Sequence, residues 1–230
     1  CRVGGRVRSE AFITAIGVGD DGRRHFVGFT CANSESYASW RGFLQDLEER
    51  GVRNVRLVTS DAHEGLVKAM GGKKEFERKL DEMFDRGYYW HGNEPCHQVA
   101  YLYDFIGKPW KTQQAVRHIM ATEYLNSVGG LSGNDDAGQM SAWYIFSALG
   151  FYPVCPGTVN YYLGSPIFPR VDIHLENGRT FTIIAENASP ENIYVKSVKI
   201  NGLRHNSPYI THWDIMEGGT LRFEMTNEHQ

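Results

Sequence analysis

Two stretches decide how this chain reads: Tyr88-Tyr-Trp-His-Gly-Asn-Glu-Pro-Cys-His97 and Gly133-Asn-Asp-Asp-Ala-Gly-Gln-Met-Ser-Ala-Trp143. Each places amides and carboxylates where a loop gives way to a helix. Pro95 suits a first helical turn, where its missing N–H would be unpaired anyway. Val99, Leu102, Tyr103 and Ile106 follow at the spacing of one helical face, and Gly107 reads as the stop. A second helix is predicted from about Pro109 to Asn126, with Val116, Ile119, Met120 and Tyr124 as its stripe. A third is predicted from Asp135-Asp136, which can cap it, to Gly150.

Consecutive helices on short loops pack antiparallel. The first and third helices therefore begin at the same end, which gathers Asn93, Glu94, Asn134, Asp135 and Asp136 at one mouth. Oxygen donors so gathered suit calcium, or a sugar held between two carboxylates. On the residues alone, Asp135-Asp136 also reads as nothing more than a helix cap.

The motifs His91-Gly-Asn-Glu-Pro95, Lys108-Pro-Trp-Lys-Thr-Gln113 and Gly133 through Tyr144 resemble glycoside hydrolase family 92. The similarity continues in Gly164-Ser-Pro-Ile-Phe168 and Ile215-Met-Glu-Gly-Gly-Thr-Leu221, and covers about residues 71–230. It implies a calcium-dependent exo-α-mannosidase that inverts the anomeric centre of mannose-terminated glycans. The resemblance makes Asp136 the general base, with Asp135 as the alternative holder of that role. A further base position falls on Asn134, an amide that cannot accept the proton. Asn93 and Glu94 are implied as calcium ligands, and His91 and Trp90 as substrate contacts. Trp110, Trp143 and Tyr144 are further candidates for stacking on sugar or for the core. The implied proton donor is a glutamate of a separate upstream motif, whose place residues 1–69 have taken. His91, Glu94 and His97 also mimic a transition-metal spacing, which Pro95 interrupts.

Composition narrows the field further. The 230 residues allow one large domain or two small ones, and 41% hydrophobic with 13% aromatic residues supports a real core. A net charge of -3 offers no bulk attraction to nucleic acid or to an anionic membrane. No run of apolar residues reaches the roughly 18 that would span a bilayer. The chain begins at Cys1 without a leader pattern, so an internal fragment is expected. Cys1, Cys31, Cys96 and Cys155 lack metal or redox spacing and read as free thiols.

The first third follows a different pattern. Residues 8–18 read as a strand, Asp20-Asp-Gly22 as a turn, and His25–Thr30 as the hairpin partner. A helix follows with Tyr37, Trp40, Leu44 and Leu47 on its buried face and Gly51 at its end. Val55–Thr59 then reads as a buried strand that delivers Asp61 at its C-terminal end, part of a ribonuclease H-like layout. Gly4-Gly-Arg-Val7, Ala15-Ile-Gly-Val18, Ser34-Glu-Ser36 and Ser60-Asp-Ala-His-Glu-Gly65 resemble the mutator family of insertion-sequence transposases over about residues 1–69. Such enzymes use three carboxylates around two metal ions, of which Asp61 matches the second. One carboxylate cannot build that site, so Asp61 reads as a relic.

The expected fold is mixed α and β. A partial ribonuclease H-like piece (1–70) precedes a segment of an (α/α)6 barrel (71–158) and a small antiparallel β module (159–230). Phe76, Leu80, Met83 and Phe84 line an amphipathic helix over 71–85, and Asn177-Gly178 and Asn201-Gly202 signal two β-hairpins. The expected function is that of an α-mannosidase fragment whose partner is the missing N-terminal half, from a bacterial parent that is secreted or periplasmic. The alternative is an incomplete DDE-type transposase. A gene interrupted by an insertion element, or a misjoined assembly, explains the switch near Lys68–Gly72.

Overall fold

The computed structural model describes residues 2–3, 6–7, 11–18, 24–32, 37–53, 63–155 and 157–229. The chain divides into two compact units, 1–88 and 89–230. This division differs from the three expected segments. The helix over 73–85 falls in the first unit, and the helical and β parts of the remainder belong together.

In the first unit, β1 (Arg2–Val3) pairs with β2 (Arg6–Val7), and β3 (Ala11–Val18) forms an antiparallel ladder with β4 (Arg24–Ala32). Helix α1 (Tyr37–Glu49) lies against β4 and buries Trp40, Phe43 and Leu47. The buried stripe therefore runs through Phe43 rather than the expected Leu44, and Tyr37 is exposed. Gly51 ends the helix with φ at 98°. Helix α2 (His63–Ala69) packs on α1, and α3 (Lys73–Asp85) buries Phe76, Leu80 and Met83, as its pattern predicts. The expected turn at 20–22 and the strand over 55–59 with Asp61 lie outside the described residues.

The second unit opens with two 3-10 turns, Glu94–Cys96 and Val99–Tyr101, which run into α4 (Leu102–Phe105). One regular helix was the expectation here, and the structure forms two 3-10 turns instead, with a tertiary hydrogen bond at the carbonyl between them. The indole N–H of Trp143 donates to the His97 carbonyl at 2.9 Å. The Tyr101 N–H, which would pair with that carbonyl in an α-helix, donates to the Gln98 carbonyl at 3.0 Å instead. Val99, Leu102, Tyr103 and Ile106 are nevertheless all buried. Helix α5 (Pro109–Thr122) stops short of Asn126, because Tyr124 turns to bridge Leu131. Helix α6 spans Gln139–Leu149.

Strands β5 (Phe151–Tyr152), β6 (Asn160–Leu163) and β11 (Tyr209–Thr211) form one antiparallel sheet. Strands β7 (Arg170–His174), β8 (Thr180–Glu186), β9 (Tyr194–Ile200), β10 (Leu203–His205) and β12 (Gly219–Thr226) form another, in the order β10-β9-β12-β8-β7. Both Asn-Gly hairpins form as predicted. Asn201 and Gly202 adopt φ of 50° and 83°, the left-handed pair that a type I′ turn requires. The expected purely antiparallel module is corrected at β12, which sits in the sheet centre and runs parallel to β8. Phe181, Ile183 and Ala185 of β8 and Leu221, Phe223 and Met225 of β12 alternate onto one buried face. Phe146 and Leu149 of α6 pack against that core. The Arg117 guanidinium of α5 donates to the carbonyls of Pro166 and Ser189 at 2.8 and 2.5 Å. Among the described residues, no helix is long and apolar enough to cross a membrane.

One buried acid gives the fold a pH dependence. Asp104 of α4 is buried with Thr112 of α5 as its neighbour, and its carboxyl oxygens lack a hydrogen bond of normal geometry among the described residues. Burial pushes this carboxyl well above the usual carboxylate range, and Thr112 offsets only part of that. The folded chain therefore holds Asp104 neutral where the unfolded chain ionises it, above a pH of about 4. Its folded pKa is the higher one, so stability falls as pH rises from that point. Asp104→Asn should raise the urea unfolding midpoint at pH 7, with the gain vanishing at or below about pH 4. A gain of equal size at both pH values would contradict this.

Candidate active site

Gly92 and Gly133 meet backbone to backbone. A Cβ at Gly133 would lie 2.1 Å from the Gly92 carbonyl oxygen and 2.6 Å from its Cα. A Cβ at Gly92 would lie 2.6 Å from the Trp90 ring and 2.7 Å from the Ser132 carbonyl oxygen. Neither site has room for a side chain. The contact joins the turn that carries Asn93 and Glu94 to the loop that carries Asn134, Asp135 and Asp136. The shared mouth expected from helix packing is therefore made by the loops themselves.

Asp135 and Asp136 differ in their surroundings. The Asp135 Oδ1 accepts from the backbone N–H and the hydroxyl of Ser141, both at 2.9 Å. Asp135 thus caps α6 from outside, and satisfies one of the donors that a helix N-terminus leaves unpaired. Of the pair expected to cap, Asp135 carries this bond. Asp136 is exposed, and Asp136, Ala137 and Gly138 have φ of 46°, 58° and 92°. Left-handed backbone at two consecutive non-glycine residues costs on the order of 1–3 kcal/mol each. Such strain gathers at functional sites.

Behind the mouth lies a buried polar and aromatic cluster. His91 has 0% of its surface exposed. Its Nδ1 lies 2.7 Å from the Tyr89 hydroxyl and its Nε2 lies 2.7 Å from the Tyr124 hydroxyl. The ring stacks on His97 at 4.6 Å between centroids and meets Trp143 edge-on at 4.3 Å. Burial, with a smaller contribution from His97, drives the His91 pKa down to about 3. Burial also lowers that of His97, although its bond to the His91 carbonyl and the Glu94 charge oppose the shift. The His97 Nε2 lies 3.1 Å from the His91 carbonyl, and Gln139 Nε2 lies 3.2 Å from the His97 Nδ1.

These positions change the reading of the two substrate contacts. Trp90 is 57% exposed and lies against Gly92, so its ring is available at the mouth. His91 has no surface for a ligand and supports the mouth from behind. The transition-metal spacing of His91, Glu94 and His97 also loses its basis, since the histidine nitrogens face Tyr89, Tyr124, Gln139 and the His91 carbonyl. Trp143 is fully buried and belongs to the core. Among the described residues, no three His, Cys, Asp or Glu side chains gather around one point that could hold a metal. Asn93 and Glu94 are partly exposed on one turn. An amide oxygen and a carboxylate are hard donors of the kind calcium takes, but calcium uses about six to eight.

Sequence reading missed Tyr89, Tyr124 and Gln139 as parts of this architecture. The only signal was the polar-aromatic alternation at Tyr89 and His91.

The family model of the glycosyl hydrolase family 92 catalytic domain matches residues 33–227. The chain belongs to glycosyl hydrolase family 92. The matched region begins ahead of the expected residue 71. A family GH92 α-mannosidase structure from Bacteroides thetaiotaomicron is 43% identical, with a TM-score of 0.70 over 73% of this chain and 24% of that one. A GH92 inverting mannosidase from Bacteroides thetaiotaomicron VPI-5482 is 37% identical, with a TM-score of 0.68 over 73% of this chain and 26% of that one. An uncharacterized secreted glycosidase of Arthroderma benhamiae is 27% identical over 86% of this chain and 26% of its own length. The chain thus spans about a quarter of the length of these three relatives. It is also 45% identical over 65 residues to an insertion-sequence transposase from Staphylococcus aureus, covering 28% of this chain and 17% of that protein.

The glycine contact can be tested without any ligand. Gly133→Ala should cost about 1–3 kcal/mol, the usual cost of overpacking a tight site, measured as a lower urea midpoint. An unchanged midpoint would show that the two loops do not touch.

Proposed function

We propose that residues 89–230 are part of the site of an inverting, calcium-dependent exo-α-mannosidase acting on mannose-terminated glycans. The single observation that supports this most is the Gly92–Gly133 contact, which sets the Asn93–Glu94 turn beside the strained loop of Asp136. The relatives named as an α-mannosidase and as an inverting mannosidase support the same reading.

In this reading Asp136 accepts a proton from the water that attacks the anomeric carbon. Asp135 keeps the loop in place through its bonds to Ser141 and is the alternative base. Trp90 offers an aromatic face to the sugar. Asn93 and Glu94 would hold calcium, which when bound grips the sugar hydroxyls and orients the ring. Water, and in the complex the sugar hydroxyls, would complete the set of about six to eight ligands that calcium takes. An inverting glycosidase also needs an acid across the ring, about 6.5–9.5 Å from the base. We assign that proton donor to the N-terminal half of the parent enzyme, the partner of this chain. The parent is assigned as a secreted or periplasmic bacterial glycosidase, in keeping with the secreted relative.

The architecture belongs to the same proposal. Residues 71–158 are read as a segment of an (α/α)6 barrel, and 1–70 as a ribonuclease H-like transposase remnant that joined it by insertion or misjoining. The transposase similarity supports a second reading, a DNA-processing fragment centred on Asp61. Salt-sensitive DNA binding that Asp61→Ala abolishes would favour it.

These 230 residues alone should release no mannose above background from an aryl α-mannoside with calcium present. Loss of a positioned general acid costs about 10²–10⁴-fold, and the lost orientation adds to that. Calcium binding should be present and should disappear in Glu94→Ala. Robust turnover abolished by Glu94→Gln would show that Glu94 is the acid rather than a ligand.

A further inference from the structure

We propose that His91 is a positioning residue: its ring, donating through Nε2 and accepting through Nδ1, links Tyr89, Tyr124 and the Met140 carbonyl into one chain of hydrogen bonds. This chain holds the Asn134–Asp136 loop in register with the Asn93–Glu94 turn, and its functional sense rests on the reading of that mouth as a sugar site.

The proton order follows from what each group can do. A carbonyl oxygen only accepts, so the single Tyr124 hydroxyl proton goes to the Met140 carbonyl at 3.0 Å. The Tyr124 oxygen then accepts from the His91 Nε2–H at 2.7 Å. Nδ1 is left as an acceptor for the Tyr89 hydroxyl at 2.7 Å. The opposite tautomer would need the Tyr124 proton for Nε2 and would take it from Met140. His97 on one side and Trp143 on another leave the ring packed at 4.6 and 4.3 Å.

Met140 is where the chain meets the catalytic loop. It lies in the first turn of α6, and its own N–H donates to the Asp135 carbonyl at 3.1 Å. The neighbouring Gln139 N–H donates to the Asp136 carbonyl at 3.2 Å. The Met140 carbonyl shares its peptide unit with the Ser141 N–H that binds the Asp135 carboxylate, so holding it steadies the helix turn to which both aspartates are bonded. The other end of the chain, His91, directly precedes Gly92 and thus the Asn93–Glu94 turn. Two loops about forty residues apart are tied through one imidazole.

Nitrogen-15 spectra of the histidine-labelled chain at neutral pH read the tautomer directly. One buried ring should show the Nε2–H form, and the Nδ1–H form or an imidazolium at His91 would overturn the proposal. The variant Tyr124→Phe removes the hydroxyl while keeping the ring. Amide hydrogen exchange at Ser141, which reports the Asp135 cap, should rise on the order of tenfold, with Phe223 and Val198 in the sheet unchanged. No change at Ser141, or an equal rise everywhere, would overturn the positioning role. Calcium affinity of the variant should drop about 10- to 100-fold, as it does when supporting partners of a metal site are lost. Wild-type chain that binds no calcium would overturn the reading of the site, while the tautomer and exchange results still decide whether His91 positions the loops.

Discussion

The contact on which the rest depends is the meeting of two backbones at Gly92 and Gly133. Backbones approach this closely only where no Cβ intervenes, and the approach must be held from behind. The buried cluster of His91, His97, Tyr124 and Trp143 does this, and every polar atom placed there must find a partner. The Trp143 indole takes the His97 carbonyl, and His97 Nε2 faces the His91 carbonyl. The local helix gives up its regular pattern in exchange.

Periodic features of the chain were legible from sequence because their causes are local. The Asn-Gly pairs at 177–178 and 201–202 require left-handed backbone at their glycines, and hairpins formed at both. The stripes of Val116, Ile119 and Met120 on α5, and of Phe76, Leu80 and Met83 on α3, were read from spacing and are buried. What could not be read depends on partners far along the chain. Residues 94–101 carry a helical pattern, yet the His97 carbonyl there accepts from Trp143, forty-six residues on. Tyr124 continues the α5 stripe by spacing, but its hydroxyl is needed at Met140, so the helix ends before it. The central, parallel placement of β12 is equally invisible, since alternation reveals a strand's faces and not its neighbours.

The candidate site shows the same division. The positions of Asn93, Glu94, Asp135 and Asp136 at loop-to-helix junctions were visible in the residue types, and the structure brings their loops together. The family resemblance implies His91 as a substrate contact. Its complete burial with both nitrogens facing tyrosines makes it a support instead. The two aspartates also differ in a way that sequence could not foretell: the Asp135 carboxylate is taken up at the helix end, and Asp136 sits in strained, exposed backbone.

The most direct test of the central claim is an amide chemical-shift titration of the 230-residue chain with calcium. A single mouth predicts that amides at Asn93 and Glu94 and at Asn134 through Asp136 shift together, along one saturation curve. Shifts confined to the Asn93–Glu94 turn, or two loops that saturate at unrelated calcium concentrations, would contradict it.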